Sequence, residues 1–147
     1  MMIGPLRAAS LLYVDSAPVI YFIEEHERFF SLVEPVIEAI NRGEKRAFTS
    51  YVTLLEVLVK PLERKRPDLV RIYRELLLGN PNLRMAPLER SVTEEAARVR
   101  AFYRFRIPDA IQLATARLGG AEVFVTNDEN LRAFRELPVV VLSDYLQ

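Results

Sequence analysis

Hydrophobic residues occur along the chain in two alternating patterns. Short runs rich in β-branched and aromatic residues predict strands, and longer stretches with an apolar residue every three or four positions predict helices. The predicted strands cover residues 11–14, 47–49, 83–88, 123–126 and 139–142. Helices are expected after residue 15 and over residues 29–40, 51–60, 67–77, 91–102, 108–118 and 129–134. Strand and helix therefore alternate along the chain.

Proline and capping residues predict several helix boundaries. Asp15 or the serine after it can cap the helix that Pro18 starts. Pro61 is expected to end the helix over residues 51–60, because proline lacks the N–H that a helix interior needs. Residues 91–94 resemble a capping box at the start of the helix predicted over residues 91–102.

Alternating strands and helices predict an α/β fold. The strands are too apolar to have one face in water, which favours a central parallel sheet covered by helices on both sides, a three-layer α/β/α sandwich. No internal repeat or linker divides the chain, so we expect a single domain spanning residues 1–147. Functional sites in such folds lie beyond the carboxyl ends of the strands, where the strand order reverses.

Composition excludes several classes of protein. The chain has 147 residues, half of them hydrophobic, and no cysteine, which excludes disulfide frameworks, cysteine zinc sites and iron–sulfur clusters. The longest apolar stretch, residues 11–23, contains Asp15 and is shorter than the ~20 residues that cross a bilayer. Residues 1–10 lack the apolar core of a secretion signal. We expect a cytoplasmic protein that does not associate with membranes.

Charge is distributed unevenly along the chain. The 20 basic and 20 acidic residues cancel overall, yet residues 60–106 contain 12 basic and 6 acidic residues, a net charge of +6. At the end of this segment Arg98, Arg104 and Arg106 alternate with aromatic residues, an arrangement that can hold phosphates and stack bases. The alternative is that the segment forms solvated helix faces.

Four acidic residues are placed to meet at one edge of the predicted sheet. Asp15 and Asp128 follow predicted strands, Asp109 lies at the start of a helix, and Glu56 lies one turn into another. If the strands are parallel neighbours, these carboxylates converge. Each aspartate has a structural alternative, because an acid before a helix satisfies free N–H groups and the helix dipole.

Glu56 has mostly apolar neighbours, and an unpaired buried carboxylate is costly. Lys60, one turn further on, could supply an ion pair worth about 0.3–0.5 kcal/mol. A shared cation would account for all four acids, since like charges 4 Å apart repel by about 4 kcal/mol at an effective dielectric near 20. Oxygen ligands alone select Mg²⁺ or Mn²⁺ over zinc.

Other chemistries have weak support. His26 is the only histidine of the chain, and no nucleophile is placed beside it. The five glycines form no phosphate-binding loop.

Four segments together resemble the PIN domain, and within it the VapC-like toxin ribonucleases of prokaryotic toxin–antitoxin pairs. The segments are VDSAPVIY at residues 14–21, SYVTLLEVL at 50–58, IPDAIQLATA at 107–116 and FVTND at 124–128. They occur in the order of the family and span nearly the whole chain.

This resemblance implies an α/β/α sandwich and a ribonuclease that depends on Mg²⁺ or Mn²⁺, with one or two ions left open. It implies metal ligation by Asp15, Asp109 and Asp128, and catalytic roles for these three and Glu56. Supporting roles are implied for Ser16, Thr126 and Asn127. The implied partners are RNA, with contacts expected at Arg98, Arg104 and Arg106, a cognate antitoxin, and a second copy in a homodimer. The expected dimer contact includes Phe29, Phe30, Phe102 and Phe105.

Three functions stay open at this point. The first is a toxin-type endoribonuclease that cleaves single-stranded regions of structured RNA. The second is a chain that acts mainly as the antitoxin-bound half of a repressor complex. The third is a non-toxin PIN nuclease, either in RNA processing or in structure-specific DNA cleavage.

Overall fold

A computed structural model describes residues 2–147, which form a parallel five-stranded sheet flanked by helices. The strands are β1 (Leu11–Val14), β2 (Arg46–Ser50), β3 (Leu83–Ala86), β4 (Val123–Thr126) and β5 (Val139–Val141). The helices are α1 (Gly4–Ala8), α2 (Ser16–Ile23), α3 (Phe30–Asn41), α4 (Tyr51–Glu63), α5 (Pro67–Leu78), α6 (Arg90–Tyr103) and α7 (Ile107–Leu118). Two 3₁₀ turns cover Glu129–Ala133 and Leu142–Tyr145.

The sheet has the strand order β3-β2-β1-β4-β5, and all four pairings are parallel. β1 pairs with β2 on one side and with β4 on the other. The strands before β4 are added on one side of β1 and the later strands on the other, so the strand order reverses at β1. The carboxyl ends of these three central strands therefore meet at the edge where α/β folds bind ligands.

Two hydrophobic cores cover the two faces of the sheet. The first contains residues of α1 to α5, and the second contains residues of α6 and α7. Successive side chains of a strand point to opposite faces, and accordingly Leu12 and Val14 belong to the first core whereas Tyr13 belongs to the second. This arrangement confirms the expected α/β/α sandwich.

Several predicted helix boundaries were wrong. α4 continues through Pro61 to Glu63, because a proline in the last turn removes only one helix hydrogen bond and its ring is buried here. α6 begins at Arg90 with Glu89 in the capping position, so residues 91–94 lie inside the helix and form no capping box.

α1 was not predicted from the sequence. Its carbonyl end is held by the buried Lys45, whose Nζ donates to the carbonyls of Arg7 and Ala9 at 3.0 and 2.5 Å. A five-residue helix has too few apolar residues for a periodic signal, which explains why the pattern missed it.

None of the helices in residues 2–147 has the length and apolar character that spanning a membrane requires.

Candidate active site

The carboxylate of Asp15 lies at the end of the central strand β1. Asp15 is the N-cap residue of α2, and its Oδ1 accepts a hydrogen bond of 2.7 Å from the backbone N–H of Ser16. The backbone N–H of Asp15 itself donates to the carbonyl of Val125 on β4. Strand pairing thus places this carboxylate beside the end of β4.

Thr126, the last residue of β4, connects two of the predicted acids. Its buried hydroxyl donates to Asp15 Oδ2 at 2.7 Å and accepts from the backbone N–H of Asp128 at 3.1 Å. Asp128 Oδ1 accepts a hydrogen bond from the backbone N–H of Asn130 and so caps the following 3₁₀ turn. This is the capping role that the sequence offered as an alternative for each aspartate. The same residue therefore has a capping contact and a place beside Asp15.

Glu56 approaches the same edge from the first turns of α4. Its Oε1 accepts hydrogen bonds from Ser16 Oγ at 2.6 Å and from Gln112 Nε2 at 2.9 Å. Within residues 2–147 it forms no ion pair with Lys60, so that alternative was wrong. α2 and α7 supply the partners of this partly buried carboxylate instead.

Asp109 lies in the first turn of α7, three residues before Gln112 and on the same side of the helix. Its Oδ2 accepts from Nε of the exposed Arg106 at 3.3 Å. Arg106 is the only basic residue within ion-pair distance of any of the four acids in the described part of the chain. Asp109 is close enough to the other three acids for their charges to affect one another, so the structure brings all four acids to one edge.

The acids influence each other electrostatically. Burial raises the pKa of Asp15 to about 6, against the hydrogen bonds from Thr126 and Ser16, and the charges of Glu56 and Asp109 raise it further. Burial also raises the pKa of Asp109, the ion pair with Arg106 lowers it, and the charges of Asp128 and Glu56 raise it. Burial is the main cause of both raised pKa values, and the charges of the neighbouring acids add to it.

The donors at this edge fit a hard divalent cation. They are carboxylate oxygens, the ligands that Mg²⁺ and Mn²⁺ prefer, and Glu56 Oε2 makes no hydrogen bond within residues 2–147. Asp15, Thr126 and Asp128 line an open cleft of about 480 Å³. In the side-chain conformations of residues 2–147, no group of three or more acidic or histidine side chains is arranged to hold a metal ion.

A model of the PIN domain family matches residues 12–137, a span that includes all four acids. The chain belongs to the PIN domain family. No curated protein sequence matches it.

Solved structures of other proteins share the fold of this PIN domain. A toxin–antitoxin complex from Klebsiella pneumoniae is 20% identical, with a TM-score of 0.65 over 88% of this chain and 96% of the other. VapBC2 from Rickettsia felis, bound to a DNA fragment from its promoter, is 13% identical, with a TM-score of 0.68 over 89% and 98%. VapC20 from Mycobacterium tuberculosis, a toxin that cleaves the sarcin–ricin loop, is 15% identical, with a TM-score of 0.68 over 86% and 98%. At these identities the likeness establishes the fold.

Within residues 2–147, the side chain of Asn127 makes no hydrogen bond to the four acids. Its Nδ2 donates to the hydroxyl of Tyr21 at 2.9 Å, and its Oδ1 accepts from the backbone N–H of Ser143 at 2.9 Å. It connects the loop after β4 to α2 and to the last 3₁₀ turn, which is a supporting position for the loop that carries Asp128.

The three predicted RNA-contacting arginines have different environments. Arg98 forms ion pairs with Glu95 and Glu136, and Arg104 is exposed in the left-handed conformation that ends α6. Arg106 alone contacts one of the four acids of the PIN site. Of the three arginines, Arg106 is therefore the one whose guanidinium lies at the edge that carries the acids.

Sequence reasoning missed Gln112, which is 1% exposed and contacts both Glu56 and Ser16. An available signal was a lone amide on the apolar side of α7, one turn after Asp109. Such a residue needs polar partners when it is buried.

The four aromatic residues near the expected dimer contact differ in exposure. Phe29 is buried in the first core of the protomer and Phe105 in the second. Phe102 is 76% exposed and Phe30 is partly exposed, so only these two of the four aromatic residues are accessible.

Proposed function

We propose that this PIN domain is an endoribonuclease that depends on Mg²⁺ or Mn²⁺ and serves as the toxin of a toxin–antitoxin pair. The observation that carries the proposal is the meeting of Asp15, Glu56, Asp109 and Asp128 at the carboxyl edge of the sheet, with raised pKa values at two of them. The fold is shared with VapC20 from Mycobacterium tuberculosis, a toxin that cleaves the sarcin–ricin loop, and this likeness supports the proposal of RNA as the substrate.

In this proposal Asp15, Asp109 and Asp128 hold the ion. When bound, a divalent cation supplies Lewis acidity and positive charge at the scissile phosphate. Thr126 keeps Asp15 and the backbone of Asp128 together through its hydroxyl. Glu56, with Oε2 free of hydrogen bonds within residues 2–147, accepts a proton from the attacking water.

Arg106 is proposed to bind the substrate phosphate. The side chain is 76% exposed and reaches Asp109 only at 3.3 Å, so it can turn towards an incoming phosphate at little cost. Arg104 lies two residues before it and is also exposed. Arginine binds phosphate through paired N–H donors, which suits it to orient a nucleic-acid backbone.

A cognate antitoxin and a second copy of the chain are the proposed protein partners. Structures with the same fold include a toxin–antitoxin complex from Klebsiella pneumoniae and VapBC2 from Rickettsia felis. Expression in bacteria, alone and together with the product of the neighbouring reading frame, tests the antitoxin. We expect growth arrest with the chain alone and growth with both. Sedimentation equilibrium tests the dimer.

Cleavage of labelled RNA by the purified protein tests the nuclease. We expect cleavage with Mn²⁺, none with EDTA, and a loss of at least about 100-fold in Asp15→Asn and Asp109→Asn, since each removes a ligand charge. Asp68→Asn is the matched control, because Asp68 is an exposed carboxylate paired with Arg66. Cleavage that persists in EDTA or in the first two variants would contradict the assignment. Preferential cleavage of a DNA strand of the same sequence would indicate a DNA nuclease.

A further inference from the structure

Gln112 is a buried amide that touches the proposed site without being one of its acids. It lies in the middle of α7, one turn after Asp109, and is 1% exposed. Its Nε2 donates to Glu56 Oε1 at 2.9 Å and lies 3.4 Å from Ser16 Oγ. Its Oε1 accepts from the hydroxyl of Tyr13 and, at 3.1 Å, from that of Thr53. Every donor and acceptor of the amide therefore has a partner.

The partners on its two sides determine which way the amide points. The buried hydroxyls of Tyr13 and Thr53 both face Gln112 Oε1 and can donate to it. A carboxylate oxygen of Glu56 only accepts hydrogen bonds, so the amide atom that faces it is the nitrogen. The nitrogen of the amide is consequently directed towards Glu56 and Ser16.

Glu56 receives its two hydrogen bonds on one oxygen. Ser16 Oγ and Gln112 Nε2 both donate to Oε1, and Oε2 is left without a partner in residues 2–147. Every buried side-chain nitrogen and oxygen atom of these residues has a partner, so Oε2 is open to solvent. The two donors restrict the rotation of a flexible side chain and aim its second oxygen outwards.

We propose that Gln112 is a positioning residue for Glu56, holding one oxygen of the carboxylate so that the other faces the reacting phosphate. This inference rests on the proposed function, in which Glu56 acts on the attacking water. A purely structural role is the competing explanation, since a satisfied polar network also specifies a core. The two explanations differ in what happens when the contact between Gln112 and Glu56 is lost.

Gln112→Met tests the proposal, because methionine has nearly the same shape and no donor. We expect kcat for RNA cleavage to fall by about 10- to 100-fold, the usual effect of removing an outer partner of a site residue, with KM little changed. Thr115→Val is the matched control. Thr115 is a buried polar residue of the same helix, 3% exposed, whose hydroxyl donates to the carbonyl of Ile111.

A double-mutant cycle separates positioning from general destabilisation. In a Glu56→Asp background the shorter carboxylate no longer reaches the amide, so adding Gln112→Met should reduce kcat no further. A structural role predicts instead that the two losses multiply. Multiplying losses, or a wild-type kcat in Gln112→Met, would overturn the proposal.

Crystal structures supply a readout that needs no activity. We expect the Glu56 carboxylate to leave its position in Gln112→Met and to keep it in Thr115→Val. If the wild type cleaves no RNA, the proposed function fails, while the position of Glu56 still decides the role of Gln112. If Gln112→Met does not fold, Gln112→Leu takes its place, because leucine also lacks the amide nitrogen that donates to Glu56. An unmoved Glu56 carboxylate would then refute the inference.

Discussion

Asp15 is the residue whose charge costs the folded protein most at the proposed site. Its carboxylate is desolvated and lies close to the charges of Glu56 and Asp109, which together raise its pKa to about 6. The free aspartate titrates near 4. Between these two values the folded chain binds more protons than the unfolded chain, so in the absence of metal the free energy of unfolding falls as the pH rises from about 4 to about 6.

Asp15→Asn removes this dependence and should stabilise the metal-free protein above pH 6. The gain is at most about 3 kcal/mol, since one pKa unit corresponds to about 1.4 kcal/mol and the partly open position of the carboxyl reduces it. Below pH 4 the gain should disappear. Urea unfolding at a series of pH values measures it.

Asp68→Asn is the control with the opposite sign. Its partner Arg66 holds the pKa of Asp68 at about 2, so Asp68 stabilises the wild type above pH 4 and loses that effect as the pH falls through 2. An Asp15→Asn protein that is less stable than the wild type at every pH would indicate that the carboxylate serves mainly as the cap of α2.

Arg106 binds Asp109 in the structure and is proposed to bind RNA phosphate during the reaction. Arg106→Gln should therefore lower the Mn²⁺ concentration needed for half-maximal cleavage and raise KM for RNA. The slope of log affinity against log salt should fall by about one, as expected when one phosphate contact is lost.

Arg42→Gln is the control for this arginine. Arg42 is also exposed and pairs with a nearby acid, Glu44 at 3.0 Å, but it lies before β2, at the opposite edge of the sheet. Equal RNA affinity in Arg106→Gln and wild type would remove Arg106 from the proposed RNA contact.

At the scale of elements, α7 contributes to both the site and the core. Its first turn carries Asp109, its middle carries Gln112, and its end approaches the sheet at Gly119. A Cβ at Gly119 would lie 2.4 Å from the ring of Phe48, a fully buried side chain of β2. This glycine thus lets the helix end lie close to the sheet.

Gly119→Ala should lower the free energy of unfolding by about 1–3 kcal/mol, the usual cost of overpacking a core. Gly4→Ala is the control, because no atom of residues 2–147 lies within 4 Å of the added atom and Gly4 is the first residue of a helix. Thermal unfolding of both variants measures the difference. Equal melting temperatures would show that Phe48 can move aside.

At the scale of the whole molecule, the strand order determines where the acids meet. β1 lies between β2 and β4. Asp15 and Ser16 follow β1, Glu56 lies in the helix after β2, and Thr126 ends β4 just before Asp128. Helices on both faces bury the strands, so only the ends of the sheet are accessible for chemistry.

Mn²⁺ should raise the melting temperature of the wild type, because a ligand that binds only the folded state stabilises it. At a hundred times its Kd the ion adds about 2.7 kcal/mol, which for a chain of this size is a shift of about 5–10 °C. The shift should vanish in the Asp15→Asn, Asp109→Asn double variant, and EDTA should reverse it. A wild-type melting temperature that does not respond to Mn²⁺ would argue against a metal site.

The sequence by itself determined the order of strands and helices, the two-sided burial of the sheet and the placement of Asp15 and Asp128 after strands. These features depend on side chains two to four positions apart, so they leave a periodic pattern in the chain. It also determined the candidate acids, through the four segments shared with the PIN family.

Only the tertiary structure decided the partners of those acids. Ser16, Glu56 and Gln112 are 40 to 96 residues apart and meet because α2, α4 and α7 lie around the same end of the sheet. The helix beyond Pro61, the missing capping box at residues 91–94 and the burial of Phe29 were likewise settled by packing. Contacts of this kind depend on where whole elements pack, and no local periodicity records that.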